Sequence, residues 1–181
     1  MSFDPDPNKV IPEVLAGING ILKSAVSEPS IKRFVYTSSS TAATSPKPNE
    51  VFDITTDTWN EEVIKKAWAS PPYEADRAGI VYGASKCEAE KALWKAVKEK
   101  KPHFVCNAIL PNLNIGNILV KNQPASSGGF VKFLYDGNII DIIRNCPPRK
   151  SRSVPSRGTS HLQMQNISLM SKIPDVFMLQ Q

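Results

Sequence analysis

The chain has 181 residues, of which 41% are hydrophobic and 22% are charged, and its formal net charge is +5. This length and composition are ordinary for a soluble globular protein that folds as one domain with a substantial core. They exclude a disulfide scaffold and a membrane-spanning chain, because the three cysteines are far apart and no apolar run approaches the roughly 18 residues that span a bilayer.

The cysteines and the first residues predict a cytoplasmic protein without a metal site. Cys87, Cys106 and Cys146 form no CxxC motif and no cluster with histidine, which indicates free thiols in a reducing compartment. Residues 1–9 are polar and contain proline, so the sequence predicts no secretory signal.

The first predicted elements are a helix over 10–26 and a strand over 31–37. Asn8 is the expected N-cap of the helix, and the strand is expected to be short and buried. Residues 41–79 are mostly loop, with a polar helix at 60–68. The apolar face of the first helix consists of residues at helical spacing, namely Val10, Val14, Ile18, Ile21, Leu22 and Ala25.

The strongest predicted helix spans 82–100, and a buried strand at 103–110 follows it. The packing face of this helix is formed by small and apolar residues, namely Ala89, Leu93, Ala96 and Val97. A helix, strand, helix, strand order with apolar strands predicts an α/β fold with parallel pairing. Two strands are too few for a stable parallel sheet, so the pattern predicts a sheet that needs more chain.

The character of the chain changes after residue 148. A short helix is predicted at 130–135, but 149–160 is rich in Arg, Ser and Pro, which predicts disorder. We therefore divide the chain into a folded part, 1–148, and a divergent, disordered or irregular tail, 149–181. The abrupt change predicts an altered reading frame, a retained intron or an alternative exon.

The positive charge lies in the C-terminal part of the chain. Residues 1–140 hold 16 Lys/Arg and 15 Asp/Glu, whereas 141–181 hold 6 and 2. A nucleic-acid contact is one interpretation of this tail, but no aromatic residue is interleaved among its arginines. A solvated tail is the favoured interpretation, and no nucleic-acid partner is predicted.

The segment YGASK at 82–86 supplies the chemistry of a carbonyl reductase. Tyr82 and Lys86 are four apart on a helix, so they share one face, with Cβ atoms about 5–6 Å apart. A phenol ordinarily has a pKa of about 10, and a neighbouring ammonium favours its ionised form. Tyr82 would then give a proton to a carbonyl oxygen, while a serine from the TSSS run at 37–40 hydrogen-bonds the same oxygen. The Tyr-x-x-x-Lys spacing alone is a weak signal, because it also occurs at ordinary exposed helix starts.

Four segments in order resemble the extended short-chain dehydrogenase/reductase family of the NAD(P)-binding Rossmann superfamily. They are VIPEVLAGINGIL at 10–22, RFVYTSSS at 33–40, YGASKCEAEK at 82–91 and ILPN at 109–112. The branch they resemble is dihydroflavonol reductase-like and includes fungal ketoreductases and aldehyde or methylglyoxal reductases. Over residues 2–148, the resemblance implies a partial Rossmann-type, doubly wound parallel sheet that lacks its N-terminal strands.

The resemblance also implies an activity, which is NADP-dependent reduction of a ketone or aldehyde by a Ser-Tyr-Lys triad. Tyr82 would be the proton donor, and Lys86 would tune it and hold the nicotinamide ribose. Ser39 aligns with the catalytic serine of the family, and Ser38 is the alternative.

Other residues take their expected places from the same resemblance. Pro111 and Asn112 would lie against the nicotinamide, and Ser126 and Ser127 would lie in a loop near cofactor and substrate. The helices at 10–26 and 82–100 are the pair through which relatives form a homodimer.

The sequence departs from the family pattern in its lack of a Gly-x-Gly-x-x-Gly fingerprint, which holds the cofactor pyrophosphate. Two or more βαβ units, each of roughly 30 residues, would be expected before the helix at 10–26. An alternative therefore stays open: a truncated chain without independent activity that at most pairs with another copy. Uncovered helix faces and an unpaired edge at 31–37 predict poor solubility or marginal folding.

Overall fold

The computed structural model describes residues 4–47, 50–112, 135–137, 163–164 and 167–171. The predicted helix at 130–135, apart from Tyr135, and the residues Ser126, Ser127 and Cys146 lie outside this part of the chain. The helices are α1 (Pro7–Val26), α2 (Glu61–Ala67) and α3 (Ala78–Lys100), and the strands are β1 (Arg33–Thr37), β2 (Val105–Pro111), β3 (Gln163–Met164) and β4 (Ile167–Ser171). The α/β class predicted from the sequence is confirmed.

Helix α1 begins before the predicted position, and its N-cap is Asp6. The Asp6 carboxylate accepts a hydrogen bond from the backbone N–H of Asn8 at 3.0 Å, so the prediction of Asn8 as the cap is wrong. Pro7 occupies the first turn, where the N–H that proline lacks would have no partner in the helix. The apolar residues at helical spacing begin only at Val10, so their pattern does not predict the first turn of the helix.

Helices α1 and α3 pack along each other and share two apolar clusters. In the first, Val10 and Ile11 meet Val81 and Ala84 together with residues of α2. The second cluster consists of Ile18, Leu22, Ala25, Ala89, Leu93 and Phe104. The prediction that the faces of α1 and α3 would stay uncovered is therefore wrong for most of their length, because each helix covers the other. Ile21 is the exception and is 62% exposed.

The sheet has the order β1-β2-β4-β3. Strands β1 and β2 are parallel and run in register from Arg33 opposite Val105 to Thr37 opposite Ile109, with α3 in the connection between them. Strand β4 pairs antiparallel with the end of β2, and β3 pairs with β4. The strands β3 and β4 thus lie in the tail that the sequence predicts to be disordered or irregular. They are defined by backbone pairing, and the sequence there shows no apolar periodicity that would predict strands.

Strand β1 is half exposed, although the sequence predicts a buried strand. Phe34 and Tyr36 are partly buried against the second α1–α3 cluster, whereas Arg33, Val35 and Thr37 are exposed. Among the described residues, helices cover only one face of β1. A groove of about 290 Å³ lies between α1 and β1, lined by Val14, Ile18, Ile21, Phe34, Val35, Tyr36 and Lys86.

Candidate active site

The predicted site residues of the strands meet at the carboxyl ends of β1 and β2. The serines at 38–40 directly follow β1, Pro111 is the last residue of β2, and Asn112 comes next. The backbone N–H of Ser38 donates to the carbonyl oxygen of Ile109 at 2.8 Å. Parallel α/β sheets bind their ligands at this end of the strands, so the predicted residues lie where a ligand site is expected.

Lys86 lies between two tyrosine rings at the same end of the sheet. Its Nζ is 5.9 Å from the ring centroid of Tyr82 and 5.9 Å from that of Tyr36, within the range of a cation–π contact. The ammonium also donates to the carbonyl oxygen of Thr37 at 3.3 Å. Burial lowers the pKa of Lys86, since it disfavours the charged form. Tyr82 and Lys86 share one helical face as predicted, but Tyr82 lies in the second turn of α3 and does not begin the helix.

The three consecutive serines each bind a different partner. Ser38 donates to Oε2 of Glu90 at 2.6 Å, and Ser40 donates to Oδ1 of Asn112 at 3.1 Å. The Ser39 hydroxyl instead accepts from the backbone N–H and the hydroxyl of Thr41, at 3.3 and 2.9 Å. A hydroxyl that accepts twice keeps its own proton for a further acceptor. The geometry therefore favours Ser39 over Ser38 as the donor to a substrate oxygen, an assignment that stays a prediction.

Comparisons with known proteins agree with the motifs. No family model matches the chain. The NAD-dependent epimerase/dehydratase terH of Aspergillus terreus is 45% identical over 136 residues, which are 75% of this chain and 39% of that protein. Aldehyde reductase 2 of Sporidiobolus salmonicolor is 38% identical over 164 residues, covering 90% of this chain and 48% of that protein. Dihydroflavonol 4-reductase of Arabidopsis thaliana is 32% identical over 128 residues, covering 69% of this chain and 30% of that protein.

A solved structure gives the same answer for the fold. It comes from work on the engineering of a reductase to attenuate substrate inhibition in asymmetric catalysis, and it superposes with a TM-score of 0.54 at 25% identity. The match covers 72% of this chain and 40% of that one. The chain belongs to the extended short-chain dehydrogenase/reductase family. It spans less than half the length of these relatives.

Gly83 lets α3 lie close to α2 and to Thr41, which follows the end of β1. A Cβ atom at Gly83 would lie 3.0 Å from Val63 Cγ2 and 3.6 Å from Thr41 Cβ. The first distance is shorter than an ordinary van der Waals contact, so a larger residue would require the Val63 side chain to shift. The glycine thus permits the close packing of α3 on α2 at the part of α3 that bears Tyr82 and Lys86.

The sequence did not single out Tyr36, Thr41 or Glu90. Tyr36 is beside Lys86, and burial raises its pKa to about 12, with the negative charge of Glu90 adding to the shift. Alternation along β1 was the signal for Tyr36, because it shares a face with Ser38. The signal for Glu90 was its position four residues after Lys86 on α3.

The described residues hold no group of three or more His, Cys, Asp or Glu side chains that could bind a metal ion. In the same part of the chain, no helix combines the length and the apolar character needed to cross a membrane.

Proposed function

We propose that this protein reduces the carbonyl group of a ketone or an aldehyde with NADPH, using Ser39, Tyr82 and Lys86. The observation that carries the proposal is the position of the Lys86 ammonium, which contacts the Tyr82 ring and the carbonyl oxygen of Thr37 at the end of β1. This position joins the helix that bears the phenol to the strand end that bears the serine. The names of the relatives, which include aldehyde and dihydroflavonol reductases, support the same chemistry.

Each side chain has a distinct task in this proposal. Tyr82 gives its phenolic proton to the carbonyl oxygen as that oxygen gains negative charge, and Ser39 donates a hydrogen bond to the same atom. Lys86 stabilises the phenolate that remains on Tyr82. NAD(P)H, when bound, supplies the hydride for the carbonyl carbon. The product is an alcohol.

The residues at the sheet end fit the nicotinamide ribose. An ammonium group carries three donors, and the carbonyl oxygen of Thr37 takes one from Lys86. The remaining donors of Lys86 suit ribose hydroxyls, and Asn112, which directly follows β2, adds an amide at the same end of the sheet. For the pyrophosphate, the described residues offer no glycine-rich turn ahead of a helix. The preference for NADPH over NADH follows from the branch of the family alone.

The test is a rate measurement on the purified chain with NADPH and with NADH, over a panel of aldehydes and ketones. Removal of the proton donor in Tyr82→Phe should lower kcat by about a hundredfold or more, because general acid catalysis contributes at least that much. Tyr73→Phe is the matched control. That ring contacts Arg77 and lies outside the site, so its kcat should stay that of the wild type.

Three results would count against the proposal. Equal kcat values for Tyr82→Phe and Tyr73→Phe would remove Tyr82 from the mechanism. Absence of turnover, together with absence of NADPH binding in a fluorescence titration, would favour the alternative of a chain without catalytic activity. NADPH binding without turnover would retain the cofactor contacts but refute the carbonyl reduction.

A further inference from the structure

Glu90 is a carboxylate in the interior of the protein, in the middle of α3. Its exposed fraction is 0%. Burial of a charged carboxyl group is costly unless hydrogen bonds compensate it. The helix could hold an apolar residue at this position at lower cost, so the carboxylate calls for an explanation beyond packing.

Both oxygens of Glu90 accept hydrogen bonds from defined donors. Oε2 accepts from the Ser38 hydroxyl at 2.6 Å, and Oε1 accepts from the indole N–H of Trp94 at 3.3 Å. The contact with Ser38 is short, as expected where the acceptor is charged. Trp94 lies one turn further along α3 and packs against a buried cluster that includes Ala108 and Leu110 of β2. It therefore holds the carboxylate from the side of the core.

The contact with Ser38 links α3 to the end of β1 directly before Ser39. The backbone N–H of Ser38 is bound to β2, and its side chain is bound to α3. Glu90 also belongs to the same stripe of α3 as Tyr82 and Lys86, because the three residues are spaced four apart. One stripe of one helix therefore carries both the reacting phenol and the anchor of the strand that carries the serine.

We propose that Glu90 is a positioning residue that holds the Ser39 hydroxyl in register with Tyr82 by anchoring Ser38 to α3. This role rests on the proposed reductase function. It assigns Ser38 to the anchor and leaves Ser39 for the substrate oxygen. A shift of about 1 Å between groups that act together can cost about a hundredfold in rate, so the anchor matters even though Glu90 contacts no substrate.

The kinetic test compares Glu90→Gln with Glu88→Gln in the full chain. Glu88 is a matched control, because it lies on the same helix and accepts from the indole N–H of Trp68 at 2.6 Å, but on the outer side. We expect kcat with NADPH to fall by about tenfold to a hundredfold in Glu90→Gln and in Ser38→Ala, with the KM for NADPH unchanged. Ser38→Thr keeps the hydroxyl and should restore kcat.

The double variant Ser38→Ala/Glu90→Leu distinguishes a positioning role from a purely structural one. If Glu90 served stability alone, a double variant that keeps its thermal midpoint would also keep its kcat. This pair of changes removes both partners of the Ser38–Glu90 hydrogen bond, which is often nearly neutral, although the indole N–H of the half-buried Trp94 also loses its acceptor. We expect the thermal midpoint to stay near that of the wild type while kcat stays as low as in the single variants. A kcat within about twofold of the wild type in Glu90→Gln or in the double variant would overturn the proposal.

A second readout does not need activity and separates this proposal from the reductase function. The amides of Thr41, Ala42 and Ala43 are bound to Ser39 or Ser40, so hydrogen exchange over residues 38–43 reports on the strand end. Glu90→Gln should speed exchange in this segment by about tenfold, whereas Glu88→Gln should not. If the wild type reduces no carbonyl but exchange responds in this way, the anchor stands and the reductase function fails. If exchange in 38–43 is unchanged, the anchor is refuted.

Discussion

Replacement of Leu93 by alanine tests whether α1 and α3 form a core in this chain alone. Leu93 is 0% exposed and lies in the cluster with Ile18, Leu22 and Phe104. The change deletes three carbon atoms from a packed site and leaves a cavity, for which a cost of about 3 kcal/mol in the free energy of unfolding is expected. Small domains are stable by only about 5–15 kcal/mol, so this loss should be plain in urea unfolding followed by circular dichroism.

Ile21→Ala is the matched control for this experiment. Ile21 lies on α1 but is 62% exposed on the rim of the groove beside β1. Its truncation should change the free energy of unfolding by less than about 0.5 kcal/mol, because little contact is lost and alanine is the better helix former. Equal effects at Leu93 and Ile21 would refute the packing of α1 on α3. They would support the marginal folding that the sequence predicts.

Two further predictions concern the site. Gly83→Ala should lower both stability and kcat, because the new Cβ meets Val63 Cγ2 at 3.0 Å. A Gly83→Ala variant as stable and active as the wild type would contradict the close approach. The raised pKa of Tyr36, about 12 against 10.0, means that the folded state keeps a proton that the unfolded state loses. Stability from Tyr36 is therefore fully present below pH 10 and is lost as the pH rises towards 12. Urea unfolding on either side of pH 10 should show a smaller alkaline loss for Tyr36→Phe than for the wild type, and identical losses would contradict the burial of this phenol.

Local sequence patterns predicted the elements well, because the signals are short in range. The predicted end of the helix at residue 100 is confirmed, since α3 ends at Lys100 and Lys101 adopts a left-handed conformation with φ of 45°. The packing face of α3 was predicted through Ala89 and Leu93, which are both fully buried. Apart from the first turns of α1 and α3, which begin before the predicted residues, errors arose where the answer depends on a distant partner. The period of α1 places Ile21 on the apolar face, but only the position of β1 decides that this part of the face borders a groove.

The candidate site shows the same limit. Spacing alone puts Tyr82 and Lys86 on one helical face, and the structure places them so. A run of three identical residues does not show which serine hydroxyl keeps its proton for a substrate oxygen and which ones already donate to a neighbouring side chain. That distinction depends on Glu90, Thr41 and Asn112, which the chain brings to the strand end from three different segments.

The end of β1 is held from several sides, and the pattern of these contacts explains why one hydroxyl differs from its neighbours. The carbonyl oxygen of Thr37 accepts from Lys86, the Ser38 side chain is bound to Glu90, and the Ser40 side chain is bound to Asn112. Residues on both sides of Ser39 are therefore fixed to α3 or to the end of β2. Fixed neighbours remove the conformational freedom that a serine in a loop would otherwise have to lose when it meets a substrate. A donor that is ordered before the substrate arrives is the arrangement that stabilises negative charge on an oxygen most effectively.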